Sequence, residues 1–312
     1  MSFPTSKPSS RIAIVGVGSV GAAAAYALTL SSVASEILLV DSDVGRRDGH
    51  VRDLSDAAYS NRRNTRIRSG TYHEAGQCDI AIVAAGSKYP RGETQIQHMY
   101  HNLAIVRNII DAMTPFKSDA ILLLVANPVD MVTSIAKEIS GLPSAQVIGS
   151  GTFLDSVRIR GLLGDKVEVA ANSIDIYVLG VHGDAQVVAW SSATIGGVPI
   201  DVSLPPDAVD REALEVECKT RSDSIIHAKG TMPFGIGSTV SSICSSILLD
   251  KRNVRAVSHF QPEYGCCFSL PVILGRRGIV SSIKMPLSKE EESAIDRSAR
   301  LLKAQVDRAN ED

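Results

Sequence analysis

The chain has 312 residues, of which 44% are hydrophobic, and 32 basic against 34 acidic side chains give a formal net charge of −2. This length predicts one large or two ordinary domains with a sizeable core. Near-neutral charge gives no general attraction to nucleic acid or to an anionic membrane, and we expect neither as a partner. The arginine pairs Arg46-Arg47 and Arg62-Arg63 are short, and we interpret them as solvated surface.

Membrane, secreted and metal-binding classes are also disfavoured. The longest apolar runs, 22–28 and 120–126, are far shorter than the ~20 residues that a membrane helix needs, and the first ten residues lack an apolar signal segment. The five cysteines are odd in number and have no Cys-x-x-Cys spacing, so they predict neither a disulfide framework nor a zinc site. We therefore expect a cytoplasmic protein with reduced thiols.

The first half of the chain alternates short β-branched runs with helix-length segments, which is typical of a parallel sheet covered by helices. Six such strands predict one doubly wound α/β domain over 10–149. The predicted strands are 11–15, 36–41, 65–68, 79–84, 120–126 and 146–148.

The pattern changes in residues 150–312, where we predict a second, mixed α/β domain. The predicted elements are a helix at 153–163, strands at 174–179 and 187–194, and a polar helix at about 207–229. A final helix begins at Ser288, which forms a capping-box pattern with Glu291.

A glycine motif directly follows the first predicted strand and opens the next helix. It reads Gly16-Val17-Gly18-Ser19-Val20-Gly21, and Asp41 ends the second strand twenty residues later. This context is typical of a Rossmann dinucleotide site, in which the helix N-terminus stabilises the pyrophosphate and the carboxylate binds ribose hydroxyls. Because Asp41 would repel a 2′-phosphate, we predict NAD as the cofactor. Ala85 and Gly86, after the fourth strand, are expected to line the same site.

Three further segments carry a specific resemblance. They are Ala126-Asn127-Pro128-Val129-Asp130, the run from Gly149 to Arg158, and Leu179-Gly180-Val181-His182-Gly183-Asp184. With the glycine motif they resemble the L-lactate/malate dehydrogenase family over nearly the whole chain, and the lactate branch in particular. The resemblance implies a Rossmann domain followed by a catalytic domain, and hydride transfer between NAD and a 2-hydroxy acid.

The roles of four residues follow from this resemblance and suit their chemistry. Hydride transfer at a carbinol carbon requires a base for the hydroxyl proton, and His182 is of the right type. Asp155 would fix the imidazole tautomer and stabilise the imidazolium. Arg158 would bind the substrate carboxylate with its planar fork. Asn127 would hydrogen-bond near the reacting oxygen and the nicotinamide ribose.

The sequence departs from the family at the mobile substrate loop, which spans 85–97. Gln95 stands where the family has an arginine that polarises the substrate carbonyl, and Tyr89 stands at a specificity position. Met232 replaces the specificity threonine of lactate enzymes. Either the loop has shifted so that Arg91 or Lys88 supplies the charge, or the substrate has changed to one with a different side chain.

Three functional hypotheses remain. The main one is a dehydrogenase acting on a 2-oxo acid with a non-standard side chain; the others are an ordinary L-lactate dehydrogenase and a catalytically weak dinucleotide-binding protein. Malate chemistry is disfavoured because position 89 carries no arginine, and Asp175 replaces the histidine of the phosphate-effector site. Val181 replaces a glutamate common in the lactate branch. By analogy, we expect a homodimer or homotetramer.

Overall fold

The computed structural model describes residues 10–60, 65–87 and 95–311. The strands in these residues are β1 Arg11–Val15, β2 Glu36–Val40, β3 Arg66–Ser69, β4 Ile80–Val83, β5 Ile121–Leu124, β6 Val147–Gly149, β7 Ile174–Asp175, β8 Val178–Leu179, β9 Val187–Val188, β10 Thr194–Ile195, β11 Val198–Pro199, β12 Asn253–Gln261, β13 Cys266–Gly275 and β14 Gly278–Ser282. The helices are α1 Ser19–Ser31, α2 Val44–Ser60, α3 Tyr72–Gly76, α4 Gln95–Met113, α5 Val129–Ile139, α6 Phe153–Val167, α7 Ile200–Ser203, α8 Arg211–Lys229, α9 Pro233–Leu248 and α10 Lys289–Glu311.

The predicted parallel sheet is confirmed. Its six strands lie in the order β3-β2-β1-β4-β5-β6, and each neighbouring pair is parallel. This order is that of the doubly wound dinucleotide-binding fold. All four residues of β4 and of β5 are buried, as expected for central strands that helices cover on both faces. The carboxyl ends of β1, β4 and β5 therefore open at the same edge of the sheet.

The two faces of the sheet form separate cores. Ala13 and Val15 of β1 point into a core with α4, α5 and α10, whereas Ile12 and Ile14 point into a second core with α1 and α9. This alternation follows from the two-residue period of a strand. A Cβ atom added at Gly237 of α9 would lie 2.8 Å from the backbone of Ala23 in α1, so glycine is needed for these helices to pack closely.

The sequence did not predict that the second half of the chain completes the same sheet. β12 pairs antiparallel with β6 through Ser258 and Gly149, and β13 and β14 continue the sheet beyond β12. Among the described residues, this one sheet therefore has nine strands. Helix α9 was not predicted either. The division of the chain near residue 149 stays a prediction.

Two predicted strands of the second half are wrong in length. Residues 174–179 form only β7 and β8, and 187–194 hold β9, a 3-10 turn at Trp190–Ser192 and the start of β10. β7 pairs with β10, whereas β8 pairs with β9, and β10 also pairs with β11. The residues of each predicted strand therefore do not form one continuous strand. The polar helix begins at Arg211, later than predicted, because the side chain of Asp210 caps it. The capping box of Ser288 and Glu291 is confirmed.

Two structural findings concern the membrane, disulfide-bonded and metal-binding classes of protein that the sequence disfavoured. No helix within the described ranges is long and apolar enough to cross a membrane. All five cysteines are buried and free, and the part of the chain that the structure describes holds no cluster of three His, Cys, Asp or Glu side chains that could bind a metal ion.

Candidate active site

The glycine motif forms a cradle at the carboxyl end of β1. Gly16 has a φ of +90°, and a Cβ atom there would lie 2.5 Å from the backbone of Ala85. A Cβ atom on Gly21 would lie 2.0 Å from the carbonyl oxygen of Gly16, whereas one on Gly18 would meet nothing within 4 Å. Two glycines thus allow the turn to close, and the third leaves open space where a pyrophosphate can approach the backbone.

Helix α1 presents its N-terminus to this open space. Gly18 is the N-cap and provides no side-chain cap, while Ser19 and Val20 begin a helix of 13 residues whose first turn carries no acidic residue. The backbone N–H groups of that first turn are therefore available to an anion, and the helix dipole favours it. The predicted cofactor residues of this loop fit a dinucleotide.

Asp41 follows β2 beside the cradle, as predicted. Its Oδ2 accepts the backbone N–H of Val17 at 2.8 Å, and its Oδ1 accepts the N–H of Asp43 at 2.8 Å and Nη2 of Arg46 at 2.9 Å. Burial works to raise the pKa of Asp41, but these donors outweigh it and hold the pKa below its ordinary value. Asp41 is therefore a carboxylate with one lone pair on Oδ2 left for a ribose hydroxyl.

The arginine pairs need a correction at this point. Arg46 is not simply solvated, because it forms the ion pair with Asp41, although 46% of its side chain is exposed. Arg47 pairs with its neighbour Asp48. Arg62 and Arg63 lie outside the described residues.

The loops that follow β4 and β5 are joined by one amide side chain. Asn102 of α4 accepts the backbone N–H of Ser87 at 2.8 Å and donates to the carbonyl oxygen of Asn127 at 3.2 Å. A Cβ atom on Gly86 would lie 3.5 Å from Asn102. Ala85, Gly86 and Asn127 therefore share the sheet edge with the glycine cradle, and the Asn127 side chain is exposed there.

The predicted dyad is assembled. Nδ1 of His182 lies 2.9 Å from Oδ2 of Asp155, and Oδ1 of Asp155 accepts Nη1 of Arg158 at 3.0 Å. Asp155 and Arg158 are three residues apart on α6, which places them on one side of that helix. The Asp155 side chain is 2% exposed and that of His182 is 28% exposed. The carboxylate is thus buried behind a ring whose far edge reaches solvent.

Charge in this cluster shifts two pKa values in opposite directions. Burial works against the ionised forms of both His182 and Asp155. The hydrogen bond and attraction between them outweigh it, so the pKa of His182 is raised and that of Asp155, with help from Arg158, is lowered. Asp155 therefore stays ionised and extends the pH range in which His182 can hold a proton.

Arg158 also contacts the residue at the predicted specificity position. Its Nη2 lies 2.7 Å from Sδ of Met232, and only 8% of the arginine side chain is exposed. Met232 is the residue before Pro233, which opens α9. The structure thus brings together four of the predicted residues: His182, Asp155, Arg158 and Met232.

Sequence reasoning gave no role to Asp130, although it lies in the segment with Asn127. Its Oδ2 accepts the backbone N–H of His182 at 2.6 Å, and burial raises its pKa to about 6. The nearby hydroxyl of Ser258 lowers the pKa of Asp130 and partly offsets the effect of burial. Within the described ranges, however, neither that hydroxyl nor Oδ1 of Asp130 makes a hydrogen bond of ordinary geometry. An acidic residue in the apolar first turn of α5 was the signal that could have identified it.

The substrate loop lies largely outside the described residues, and its role stays a prediction. Lys88, Tyr89 and Arg91 lie outside the described residues, and so does the side chain of Gln95, whose backbone begins α4. Asp175, at the position of the effector histidine, is exposed on β7.

Comparisons with known proteins identify the family of both halves of the chain. Residues 10–149 match the model of the lactate/malate dehydrogenase NAD-binding domain, and residues 152–312 match that of the lactate/malate dehydrogenase α/β C-terminal domain. L-lactate dehydrogenase A of Rhizopus oryzae is 42% identical over 95% of this chain and 92% of its own length. L-lactate dehydrogenase of Thermus aquaticus is 38% identical over 94% and 97%.

Solved structures show the same likeness. The minor L-lactate dehydrogenase of Enterococcus mundtii superposes with a TM-score of 0.91 at 32% identity, covering 96% of this chain and 98% of that one. Matches of this extent at both the sequence and the structural level show the fold and the family. The chain belongs to the lactate/malate dehydrogenase family.

Proposed function

We propose that this chain is an NAD-dependent dehydrogenase that interconverts a 2-oxo acid and the corresponding (S)-2-hydroxy acid. The observation that carries the proposal is the continuous chain from His182 through Asp155 to Arg158, with distances of 2.9 and 3.0 Å. It combines a candidate proton donor with a candidate carboxylate-binding cation, which supports the proposal. We also propose that residues 10–149 hold the cofactor and residues 150–312 supply the substrate chemistry.

Each residue of the site has a distinct role in the proposed reaction. The nicotinamide ring of bound NADH supplies the hydride. Nε2 of protonated His182 donates a proton to the oxygen that becomes the hydroxyl, and the reverse reaction returns that proton to the same nitrogen. Asp155 holds Nδ1 and stabilises the imidazolium, while Arg158 orients the substrate through its carboxylate. Asn127 is expected to hydrogen-bond near the reacting oxygen.

The side chain of the substrate is the open part of the proposal. With Gln95 in place of an arginine, the loop loses a charged donor at the developing oxyanion, which costs roughly 2.7–4 kcal/mol, on the order of 10²–10³ in rate. Met232 adds an apolar side chain at the carboxylate end of the pocket. We therefore expect pyruvate to be a poor substrate, and ordinary L-lactate dehydrogenase activity is the second candidate.

A screen of NADH oxidation over 2-oxo acids with small, branched, aromatic and acidic side chains tests the proposal. We expect turnover with at least one monocarboxylate. Fast pyruvate turnover would favour the second candidate. Tight NADH binding with no turnover on any acid would instead indicate the catalytically weak dinucleotide-binding protein.

We further propose that the protein is at least a dimer. A groove of about 870 Å³ runs between α1 and α9, and exposed Tyr26 and Phe234 flank it. Exposed apolar surface of this kind is typical of an interface, and we expect a second copy of the chain to cover it. A monomer in light scattering at micromolar concentration would overturn this. The five reduced thiols support the expected cytoplasmic location.

A further inference from the structure

One side chain of α4 connects two loops at the sheet edge, on the far side of β1 from Asp41. Asn102 is only 4% exposed. Its Oδ1 accepts the backbone N–H of Ser87 at 2.8 Å and the hydroxyl of the same residue at 3.1 Å, and its Nδ2 donates to the carbonyl oxygen of Asn127 at 3.2 Å. Donors on one side and an acceptor on the other determine the orientation of the amide. The loops after β4 and β5 are therefore tied to each other by a single buried group.

Ser87 is also held from a second point of the same helix. Nε2 of His98 lies 3.1 Å from the carbonyl oxygen of Ser87, and His98 and Asn102 are four residues apart, on one face of α4. Both polar groups of the Ser87 backbone thus contact side chains of α4. A Cβ atom on Gly86 would lie 3.5 Å from Asn102, so the chain before Ser87 also passes close to this side chain. The position of the loop after β4 therefore depends on α4.

The two loops lie where the nicotinamide half of the cofactor is expected. In a doubly wound sheet the dinucleotide crosses the edge where the strand order reverses, which here is between β1 and β4. Asp41 follows β2 and is expected to bind the adenosine ribose, so the nicotinamide half extends over β4 and β5. Asn127 follows β5, its side chain is exposed, and it is the residue expected to bind the nicotinamide ribose. Asn102 holds the backbone of that residue.

We propose that Asn102 is a positioning residue for the nicotinamide half of NAD. It acts through Asn127, whose backbone it fixes against that of Ser87, and this sets the place of the nicotinamide ribose. A small displacement matters, because hydride transfer is fast only when the two reacting atoms are held close and aligned. The effect on hydride transfer rests on the proposed function, but the tie between the two loops does not.

Binding of NADH and of ADP tests the proposal without any turnover. ADP contains the adenosine and the pyrophosphate of NADH but lacks the nicotinamide and its ribose, and calorimetry measures both affinities. In Asn102→Leu, which is similar in size and has no polar side-chain atom, we expect the Kd of NADH to rise about tenfold, because two buried loops lose their common partner. The Kd of ADP should change less than about twofold, because the cradle and Asp41 stay intact.

Asn102→Asp separates the two connections that the side chain makes. A carboxylate still accepts from Ser87 but places an oxygen against the carbonyl oxygen of Asn127, so we expect it to weaken NADH binding as much as Asn102→Leu does. Ser87→Ala removes only the hydroxyl bond and should change the Kd of NADH less than about threefold. Because aspartate keeps the shape of asparagine, this variant keeps the test decisive if Asn102→Leu does not fold.

Gln146→Leu is the matched control. Nε2 of Gln146 donates to the carbonyl oxygens of Ser118 and Ala120 at 3.0 and 2.7 Å, and so ties the segments before β5 and β6 at the opposite edge of the sheet. Its loss should lower the Tm but leave both Kd values unchanged. An unchanged Kd of NADH in Asn102→Leu and Asn102→Asp would overturn the proposal. Equal losses of NADH and ADP affinity would also overturn it, because general distortion of the domain would then explain them.

Steady-state kinetics separates this proposal from the proposed function. With a 2-oxo acid that is turned over, we expect Asn102→Asp to lower kcat about tenfold and to increase the primary isotope effect of deuterated NADH, because a misplaced ring slows hydride transfer itself. The KM of the acid should change less than about twofold, since Arg158 lies on α6. Unchanged kcat and isotope effect would contradict the positioning role. Weaker binding of NADH but not of ADP, with no turnover on any acid, would support the positioning role and contradict the dehydrogenase.

Discussion

The cofactor side and the substrate side of the site are built in different ways. The cradle and Asp41 come from 26 consecutive residues, 16–41, and depend on backbone geometry within a single β-α-β unit. The substrate side joins residues from α5, α6, the segment after β8 and the turn before α9. The first is therefore encoded locally, whereas the second exists only once distant segments have packed together.

The two sides also differ in their electrostatics. Only 5% of the Asp41 side chain is exposed, but its partner arginine is half-exposed, so solvent screens this pair. Asp155 and Asp130 are buried beside His182, where low polarity makes every pairing stronger and every unpaired charge more costly. Substitutions on the substrate side should therefore have the larger effects.

The largest effect is expected from His182→Ala. Removing the proton donor should lower turnover by about 10²–10⁴, the usual contribution of general acid–base catalysis. NADH affinity should not change, because the cradle shares no side chain with the dyad. Steady-state rates and NADH fluorescence titration measure the two effects, with the exposed His227→Ala as control. Turnover within a few-fold of the unmodified protein would show that the chemistry lies elsewhere.

The substrate loop gives the second largest effect. Gln95→Arg with Tyr89→Gln should raise kcat/KM for pyruvate by roughly one to three orders of magnitude, because a charged donor would return to the carbonyl oxygen while Arg158 is expected to bind the carboxylate. Each single variant serves as a control for the pair. If the unmodified protein already turns over pyruvate hundreds of times per second, near the top of the usual range, Arg91 or Lys88 must supply the charge.

Asp155→Asn should change the pH dependence as well as the rate. The raised pKa of His182 means that reduction of the 2-oxo acid, which needs the protonated ring, declines only as pH rises above the ordinary value near 6.5. Without the negative charge the pKa falls, so the decline should begin at lower pH, and kcat should drop less than in His182→Ala. Profiles of kcat/KM against pH measure this, and an unmoved profile would contradict the role of Asp155.

The same contrast explains what could be predicted from the sequence. The parallel strands were found within two residues of their ends because buried β-branched runs are local signals. The dyad needed the family resemblance, since Asp155 and His182 are 27 residues apart and no periodicity joins them. The antiparallel extension β12–β14 was missed because its pairing with β6 is non-local. Asp130 was missed because an acidic residue in the first turn of a helix is common, and the sequence does not show that its partner is the backbone N–H group of the distant His182.

The smallest effect concerns the cofactor. NADH should bind at least about tenfold more tightly than NADPH, because we expect Asp41 to accept a ribose hydroxyl and to repel a 2′-phosphate. Asp41→Ala should narrow this gap. Arg46 works in the opposite direction, since its exposed guanidinium is bonded to Asp41 and could pair with the extra phosphate. Arg46→Ala should therefore widen the gap in fluorescence titrations. Equal affinity of the unmodified protein for both cofactors would contradict the role assigned to Asp41, because an ionised carboxylate next to the ribose should repel the 2′-phosphate of NADPH.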